Sequence, residues 1–162
     1  MSIGTRVLLS SAAGYGATEV MDRVTTALYD RQSEESRERE KQVQPEPAVR
    51  VLVKKVAEAS HTEVNQEQVK RLGALVHRSM GIGGAYVAGV LLARGWRAVP
   101  AGMAAGMMIW IVFDEGLNYV LGLTAPSTEF PREAHVRGLL GHMAYGAALG
   151  GLLAVARRLW ES

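Results

Sequence analysis

The glycines of this chain lie among its apolar residues, and this feature restricts the possible folds most. Fifteen of the 18 Gly occur between Gly73 and Gly151, interleaved with Ala, Leu, Val and Met. Glycine weakens a helix in water, whereas in a lipid bilayer it lets two helix backbones approach closely. The pattern therefore predicts an all-α protein whose helices pack against one another inside a membrane.

Four segments have the length and composition of transmembrane helices. We predict spans at residues 7–29, 72–92, 98–122 and 138–156, because a span needs roughly 20 residues. The first is the weakest, since it contains Glu19, Asp22 and Arg23, which must face the interior of a bundle. A signal peptide is the alternative for the N-terminus, but its apolar run is too short for one. The 162 residues then form a single membrane domain.

The charged residues concentrate in a polar segment, residues 30–71, which holds half of the Lys and Arg. We expect its first part to extend the first helix into solvent and to end at Pro45 and Pro47. An amphipathic helix is predicted next. Its apolar face comprises Val49, Leu52, Val53 and Val56. This helix either packs as a cap on the protein or lies in the plane of the lipid headgroups.

Two further signals concern the ends of helices. Asn65 and Gln68 have the spacing of a capping box, so a helix is expected to begin near Gln66 and to run into the second span. In the loop at residues 124–135, two prolines exclude a continuous helix. We predict that this loop forms a stiff, extended lid at the membrane edge.

Small residues recur four positions apart in every predicted span, which places them on one face of each helix. They are Ala12, Gly16, Gly81, Ala85, Gly89, Gly102, Gly106, Gly146 and Gly150. Such faces let helices pack closely in lipid. Small residues are common in any spanning helix, but a pair in all four predicts a compact bundle. Any small residues that face outward would contact a second copy or another membrane protein.

Nine polar residues lie within the predicted spans, and the topology places all of them in the same half of the membrane. They are Glu19, Asp22, Arg23, His77, Arg78, Asp114, Glu115, Asn118 and His142. Charges in lipid are costly unless they are paired. We expect a polar cluster between helices, in which Asp22 and Arg78 pair and join the first two spans. The alternative is a proton or ion site in a water-accessible vestibule.

The residue types exclude several classes of function. The chain has no Cys, so it has no disulfide, thiolate metal site or Cys nucleophile. His77, His135 and His142 lack the spacing of a metal-binding motif, and neither a nucleotide-binding loop nor a catalytic triad is visible. We therefore predict no metal, no cofactor and no enzymatic activity. The net charge of +2 gives no reason to expect a nucleic-acid partner.

A set of short motifs runs through the C-terminal third and one N-terminal segment. It comprises Asp114-Glu115-Gly116, residues 121–126, Phe130-Pro131, His135, Gly141-His142, Tyr145-Gly146 and residues 21–29. Together these motifs, over about half of the chain, resemble the YagU-like family of small bacterial inner-membrane proteins. Ala125 departs from the family, which tends to have a second proline there. The resemblance implies a multi-spanning inner-membrane protein and supplies no activity.

These features together predict a packing or assembly subunit of a larger membrane complex. Its partners would be the lipid bilayer and either other membrane proteins or a second copy of the chain. The alternative is a small transporter or proton-coupled channel that uses the polar cluster. The counts of Lys and Arg favour a cytoplasmic long loop, whereas the resemblance implies cytoplasmic termini. We expect cytoplasmic termini.

Overall fold

Helices make up all the regular structure of the residues that the structure describes. The computed structural model describes residues 3–161, with the side chains of residues 4–158, and no strand occurs in this part. The helices are α1 Ile3–Asp30, α2 Glu34–Val43, α3 Ala48–Ala59, α4 Gln66–Ala93, α5 Ala98–Ile109, a π-helical segment Trp110–Leu117, α6 Asn118–Val120, a short 3-10 helix Ser127–Glu129 and α7 Arg132–Glu161. The predicted all-α fold is confirmed.

Three helices are long and apolar enough to cross a bilayer. They are α4, the continuous helix Ala98–Val120 and the part of α7 at Arg132–Arg158. We call Ala98–Val120 the third span, after the predicted segment at residues 98–122 that it matches. The chain is therefore compatible with a membrane protein, as predicted. Helix α1 also has enough length, with 28 residues, but it is not among the three. The charged residues Glu19, Asp22 and Arg23 make its second half too polar.

The four long helices form an antiparallel bundle. Helix α1 packs against α4 and α7, and the third span packs against the same two helices. The buried core between them is built mainly from alanine and a few larger residues. It includes Ala17, Ala85, Ala101, Ala105, Ile109, Tyr145 and Leu149. Large apolar side chains, such as Leu75, Val90, Ile111 and Val155, are exposed on the outer surface, as expected of a surface that faces lipid.

Helix α2 is separate from α1, so the predicted extension of the first helix is wrong. Helix α1 ends at Asp30, and α2 begins at Glu34, after three intervening residues. The reason is local, because the Ser33 side chain accepts a hydrogen bond from the backbone N–H of Ser36 and caps a new helix. Helix α2 then ends at Val43, just before the two prolines, as predicted.

Helix α3 packs on the protein. Its residues Val53 and Ala57 are buried, and the helix lies against α4 near Gly73. Val56, on the predicted apolar face, is 58% exposed. Helix α3 therefore lies at one end of the bundle, beside α2 and the loop after the third span. We call these three elements the cap, and this end of the bundle the cap side. The predicted capping box of α4 is present, with Asn65 and Gln68 bonded reciprocally.

Helix α7 begins earlier than predicted. Its first residue, Arg132, follows Pro131 directly, because proline is well tolerated just at the start of a helix. His135 therefore lies in a helix, and the predicted extended lid is wrong. A short loop connects the third span to α7. It begins at Gly122, which has φ +63°, and it contains the 3-10 turn.

Candidate functional site

Two adjoining cavities open inside the bundle beneath the cap. The inner one has a volume of about 370 Å³, and the outer one a volume of about 560 Å³. His77, Asp114, Asn118 and His142 line both cavities. We call the combined space the vestibule.

The π-helical segment of the third span carries the first polar pair of the vestibule. Asp114 lies in this segment, and its Oδ2 is 3.0 Å from Nε2 of His142 on α7. The His142 side chain is only 8% exposed, whereas that of Asp114 is 42% exposed. A π-helix is rare and occurs often at functional sites, since its wider turn redirects side chains. This turn thus joins a buried imidazole to a carboxylate that solvent can reach.

Two more histidine–carboxylate pairs face the same space. Nε2 of His77 lies 2.9 Å from Oδ1 of Asp22, and Nδ1 of His135 lies 2.9 Å from Oε1 of Glu115. His135 also contacts the carbonyl oxygen of Ser127 through Nε2, at 2.9 Å. Because a carbonyl only accepts, Nε2 donates there, and Nδ1 faces the Glu115 carboxylate. His135 therefore connects the third span to the loop that follows it.

The vestibule has a closed floor. The Tyr145 hydroxyl donates to the carbonyl oxygen of Gly81 at 2.5 Å and so links α7 to α4 across the bundle. On the far side of this bond, the third span and α7 touch backbone to backbone. A Cβ on Gly146 would lie 2.7 Å from Cα of Met103. The vestibule is thus closed at this level of the bundle.

The roof consists of polar contacts between the cap and α7. Nη2 of Arg137 lies 2.5 Å from Oε1 of Glu40, and each of these side chains is 18% exposed. The guanidinium group also stacks over the Tyr29 ring, 5.1 Å from its centroid. Gln44 donates to the carbonyl oxygen of Leu123 at 3.1 Å. These contacts fasten α2 to both α7 and the loop after the third span.

Carboxylates outnumber permanent cations around the vestibule. The titratable lining groups are Asp22, Glu40, Asp114, Glu115, Arg137, His77, His135, His142 and Tyr145. With neutral imidazoles the lining is negative, so it favours protons or cations. Among the described residues, no three His, Cys, Asp or Glu side chains are placed to hold one metal ion. The chemistry that this arrangement supports is proton exchange and the binding of a cationic solute.

The predicted pair of Asp22 with Arg78 is wrong. Asp22 contacts His77, while Nη2 of Arg78 lies 3.0 Å from Oε1 of Glu19. The Arg78 guanidinium also lies 5.4 Å from the centroid of the Tyr15 ring. The predicted depth of the residues does not fix their direction, because neighbouring residues such as His77 and Arg78 point about 100° apart on a helix.

The nine predicted cluster residues divide into two groups. Six of them line the vestibule: Asp22, His77, Asp114, Glu115, Asn118 and His142. The other three, Glu19, Arg23 and Arg78, do not line it. Glu19 and Arg23 line a shallow groove on the outside of α1, which Asp22 also borders. The sequence thus predicted a single cluster where the structure has an inner site and an outer ion pair.

Most of the predicted small residues serve contacts within the bundle. Gly81, Gly102, Gly106, Gly146 and Gly150 all lie where a Cβ would collide with a neighbouring helix, and Ala85 is fully buried. Gly16 meets only a Leu152 methyl group, and no atom lies within 4 Å of a Cβ on Gly89.

Three close contacts were not predicted, at Gly14, Gly84 and Gly141. A Cβ on Gly14 would lie 2.7 Å from the carbonyl oxygen of Gly81. The signal for this contact was the spacing of four residues between Gly14 and Thr18, since Thr18 packs on Gly81 as well.

Three titratable residues of the vestibule, His135, Glu40 and Arg137, were not predicted as part of the site. His135 was assigned to the loop at residues 124–135, Glu40 to the extension of the first helix, and Arg137 lies outside the predicted spans. A usable signal exists for His135, because it precedes His142 by seven residues, which places both on one face of a helix. This signal depends on recognising that Pro131 starts α7.

The chain matches no protein-family model, no curated protein and no solved structure. The resemblance to the YagU-like family stays a prediction. The geometry of the vestibule is therefore the main indication of function.

Proposed function

We propose that the protein is a small proton-coupled carrier that crosses the bacterial inner membrane and binds its solute in the vestibule. The observation that carries this proposal is the set of three histidine–carboxylate pairs that face one cavity inside the bundle. Histidine changes its charge more readily near neutral pH than other side chains do. Ionisable groups within a membrane protein commonly mark proton and ion pathways.

The proposal includes four spans, with α1 as the first. Helix α1 contacts α4 from Ser11 to Asp22, and it contacts α7 as far as Thr25. If α4 and α7 cross the bilayer, a helix packed along both of them shares their depth. Exposed apolar residues, such as Leu8 and Val20, support a lipid-facing surface on α1. The inner membrane as location is supported by the resemblance to the YagU-like family.

The closed floor favours a carrier over an open channel. A channel needs a path through the whole bilayer, whereas the vestibule ends at the Tyr145–Gly81 hydrogen bond. Carriers bind a solute near the middle of the membrane and expose the site to one side at a time. A vestibule that ends at this bond matches one of these two states. This proposal involves no catalytic step.

Reconstitution into liposomes tests the proposal. Vesicles that contain a pH-sensitive dye are given a pH gradient, and solutes of cationic, anionic and neutral classes are added in turn. We expect solutes of one class to collapse the gradient only when the protein is present. Asp114→Asn should abolish this effect, because it removes the carboxylate that is paired with His142.

The matched control is Glu67→Gln. Glu67 pairs with Arg71 at the exposed start of α4, where its side chain is 62% exposed, and it does not line the vestibule. This variant should retain full activity. A folded wild-type protein that couples no class of solute to protons would contradict the carrier function, as would equal losses in both variants.

A role as an assembly subunit is the second candidate. It is favoured by Gly83 on the outer surface of α4, where no atom lies within 4 Å of a Cβ. A helix of a partner could approach there closely. Gly83→Leu should then break up a complex isolated in mild detergent. A monomer without partners in the wild type would contradict this role.

A further inference from the structure

The outer seam between α1 and α4 carries polar side chains. The hydroxyl groups of Ser11 and Tyr86 lie 2.8 Å apart across this seam. Two turns nearer the cap, Nη2 of Arg78 lies 3.0 Å from Oε1 of Glu19. The exposed side chains of the third span and α7 are, by contrast, largely apolar and include Met108, Ile111, Leu152 and Val155. The seam is therefore a polar part of an otherwise apolar outer surface.

The polar side chains of α1 form one row. Ser11, Tyr15, Glu19 and Arg23 follow one another at intervals of four residues, so they form a ridge along the outside of the helix. The Tyr15 ring belongs to the same network, because the Arg78 guanidinium lies 5.4 Å from its centroid. We call these four residues of α1 the polar ridge.

This ridge lies at a depth where lipid is an unfavourable neighbour. Arg78 is near the middle of α4, which is apolar enough to span a membrane. The side chains of Arg78 and Glu19 are 36% and 37% exposed on the outside of the bundle. Ionisable groups at such a depth almost always face protein or water. A protein surface therefore suits the ridge better than lipid chains do.

Two charged groups of the ridge have unused capacity for hydrogen bonds. Arg78 contacts only Oε1 of Glu19, through both Nε and Nη2, so Oε2 can accept a further bond. Arg23 is exposed one turn nearer the cap, and it forms no ion pair with any residue that the structure describes. The ridge thus presents an available acceptor and an available donor of opposite charge.

We propose that two copies of the chain associate through the polar ridge, about a two-fold axis along the membrane normal. Arg23 of each copy donates to Oε2 of Glu19 in the other copy. A two-fold axis makes each such contact occur twice, which requires a self-complementary surface. The ridge meets this requirement, because the acceptor and the donor differ in depth by only about 6 Å, one helical turn. The long arginine side chain spans this difference.

This inference goes beyond the carrier function and rests on the four proposed spans, because both copies of α1 must lie in the membrane. A reciprocal contact gives each exposed charge a partner of opposite sign. It also leaves the Glu19–Arg78 pair of each copy intact, since that pair uses the other carboxylate oxygen.

The mass of the full-length protein in mild detergent, measured by light scattering, tests the inference. We expect the mass of two chains for the wild type. Arg23→Glu should raise the dissociation constant about tenfold or more, because it sets a carboxylate against Glu19 of the other copy. Arg23→Lys should retain the dimer. The matched control is Arg132→Glu, which makes the same change of charge at an exposed residue of α7.

Cross-linking in liposomes locates the contact. Ala27 is exposed and continues the ridge by one turn. Val136 is 54% exposed on α7 at a similar depth, since Gly141 nearby packs on Thr25. The chain has no cysteine, so each position can carry the only one. On oxidation, Ala27→Cys should link two copies, and Val136→Cys should not.

A wild type with the mass of one chain would overturn the inference, as would assembly with a different protein only. A dimer that Arg23→Glu does not weaken, or that links through Val136→Cys instead of Ala27→Cys, would overturn it as well. The carrier function is judged separately by the liposome transport experiment. Proton-coupled transport by a monomer would retain the carrier and exclude the dimer.

Discussion

At the residue scale, the direction in which a side chain points decides which pairs form. Glu19 and Asp22 are three residues apart on α1, and His77 and Arg78 are adjacent on α4. The rotation of the two helices turns Asp22 and His77 towards the vestibule and Glu19 and Arg78 towards the outer surface. Each carboxylate thus has its own partner, His77 for Asp22 and Arg78 for Glu19, and the two pairs have different environments.

A double-mutant cycle checks this pairing. Glu19→Gln and Arg78→Gln should lower the melting temperature in detergent by non-additive amounts, because the two side chains form one ion pair. The coupling should be small, since both side chains are more than one-third exposed. The matched cycle of Asp22→Asn with Arg78→Gln should be additive. Coupling in the second cycle and none in the first would contradict the structure.

At the element scale, glycine controls how closely the helices pack. On α7, Gly146 touches the third span backbone to backbone, whereas Gly151 has no atom within 4 Å of a Cβ. The two positions lie on one helix and differ only in their neighbours. They therefore separate the effect of packing from the intrinsic preference of alanine for a helix.

Alanine at these two positions should have opposite effects on stability. Gly146→Ala places a Cβ 2.7 Å from Cα of Met103, and backbone cannot move aside easily, so we expect a loss of about 1–3 kcal/mol. Gly151→Ala should be neutral or gain up to about 1 kcal/mol, because alanine favours a helix more than glycine does. Thermal unfolding in detergent measures both. Equal effects would show that the bundle does not pack through these glycines.

The sequence was sufficient to predict the elements whose signals lie within a short stretch of neighbouring residues. The capping box at Asn65 and the long apolar segments of α4 and the third span were predicted. The sequence did not predict the break before α2, the start of α7 or the π-helical segment. Each of these features depends on which of several weak local signals prevails. For the site, the sequence indicated six of the lining residues but not their pairing, which depends on helix rotation.

At the scale of the whole molecule, the cap and the bundle form one enclosure. Helix α2 is fastened to α7 by the Arg137–Glu40 pair, and Gln44 fastens it to the loop after the third span. All these contacts lie on the side of the bundle opposite the connection between α4 and α5. The vestibule therefore lies between the cap and the floor of the bundle.

The number of spans determines where the termini lie. Four spans place both termini on the side opposite the cap, whereas three spans place the N-terminus on the cap side. Fusions of a reporter that is active on one side only should give the same result at the N-terminus and the C-terminus. They should give the opposite result in the loop after Ala59. Opposite results at the two termini would show that α1 does not cross the membrane.

The central claim is that a water-accessible vestibule reaches into the bundle from the cap side. Because the chain has no cysteine, single cysteines can test it without background. Met80 lines the inner cavity. Met108 is 41% exposed on the outer surface at a similar depth, since the neighbouring Ile109 packs on Gly84, one turn from Met80.

The most direct measurement is the reaction of these cysteines, in liposomes, with a thiol reagent that cannot cross lipid. Thiols react as thiolates, which need water. Met80→Cys should react, and only with reagent on the cap side, while Met108→Cys should not react from either side. An unreactive Met80→Cys in a folded protein, or equal reaction at both positions, would contradict the vestibule.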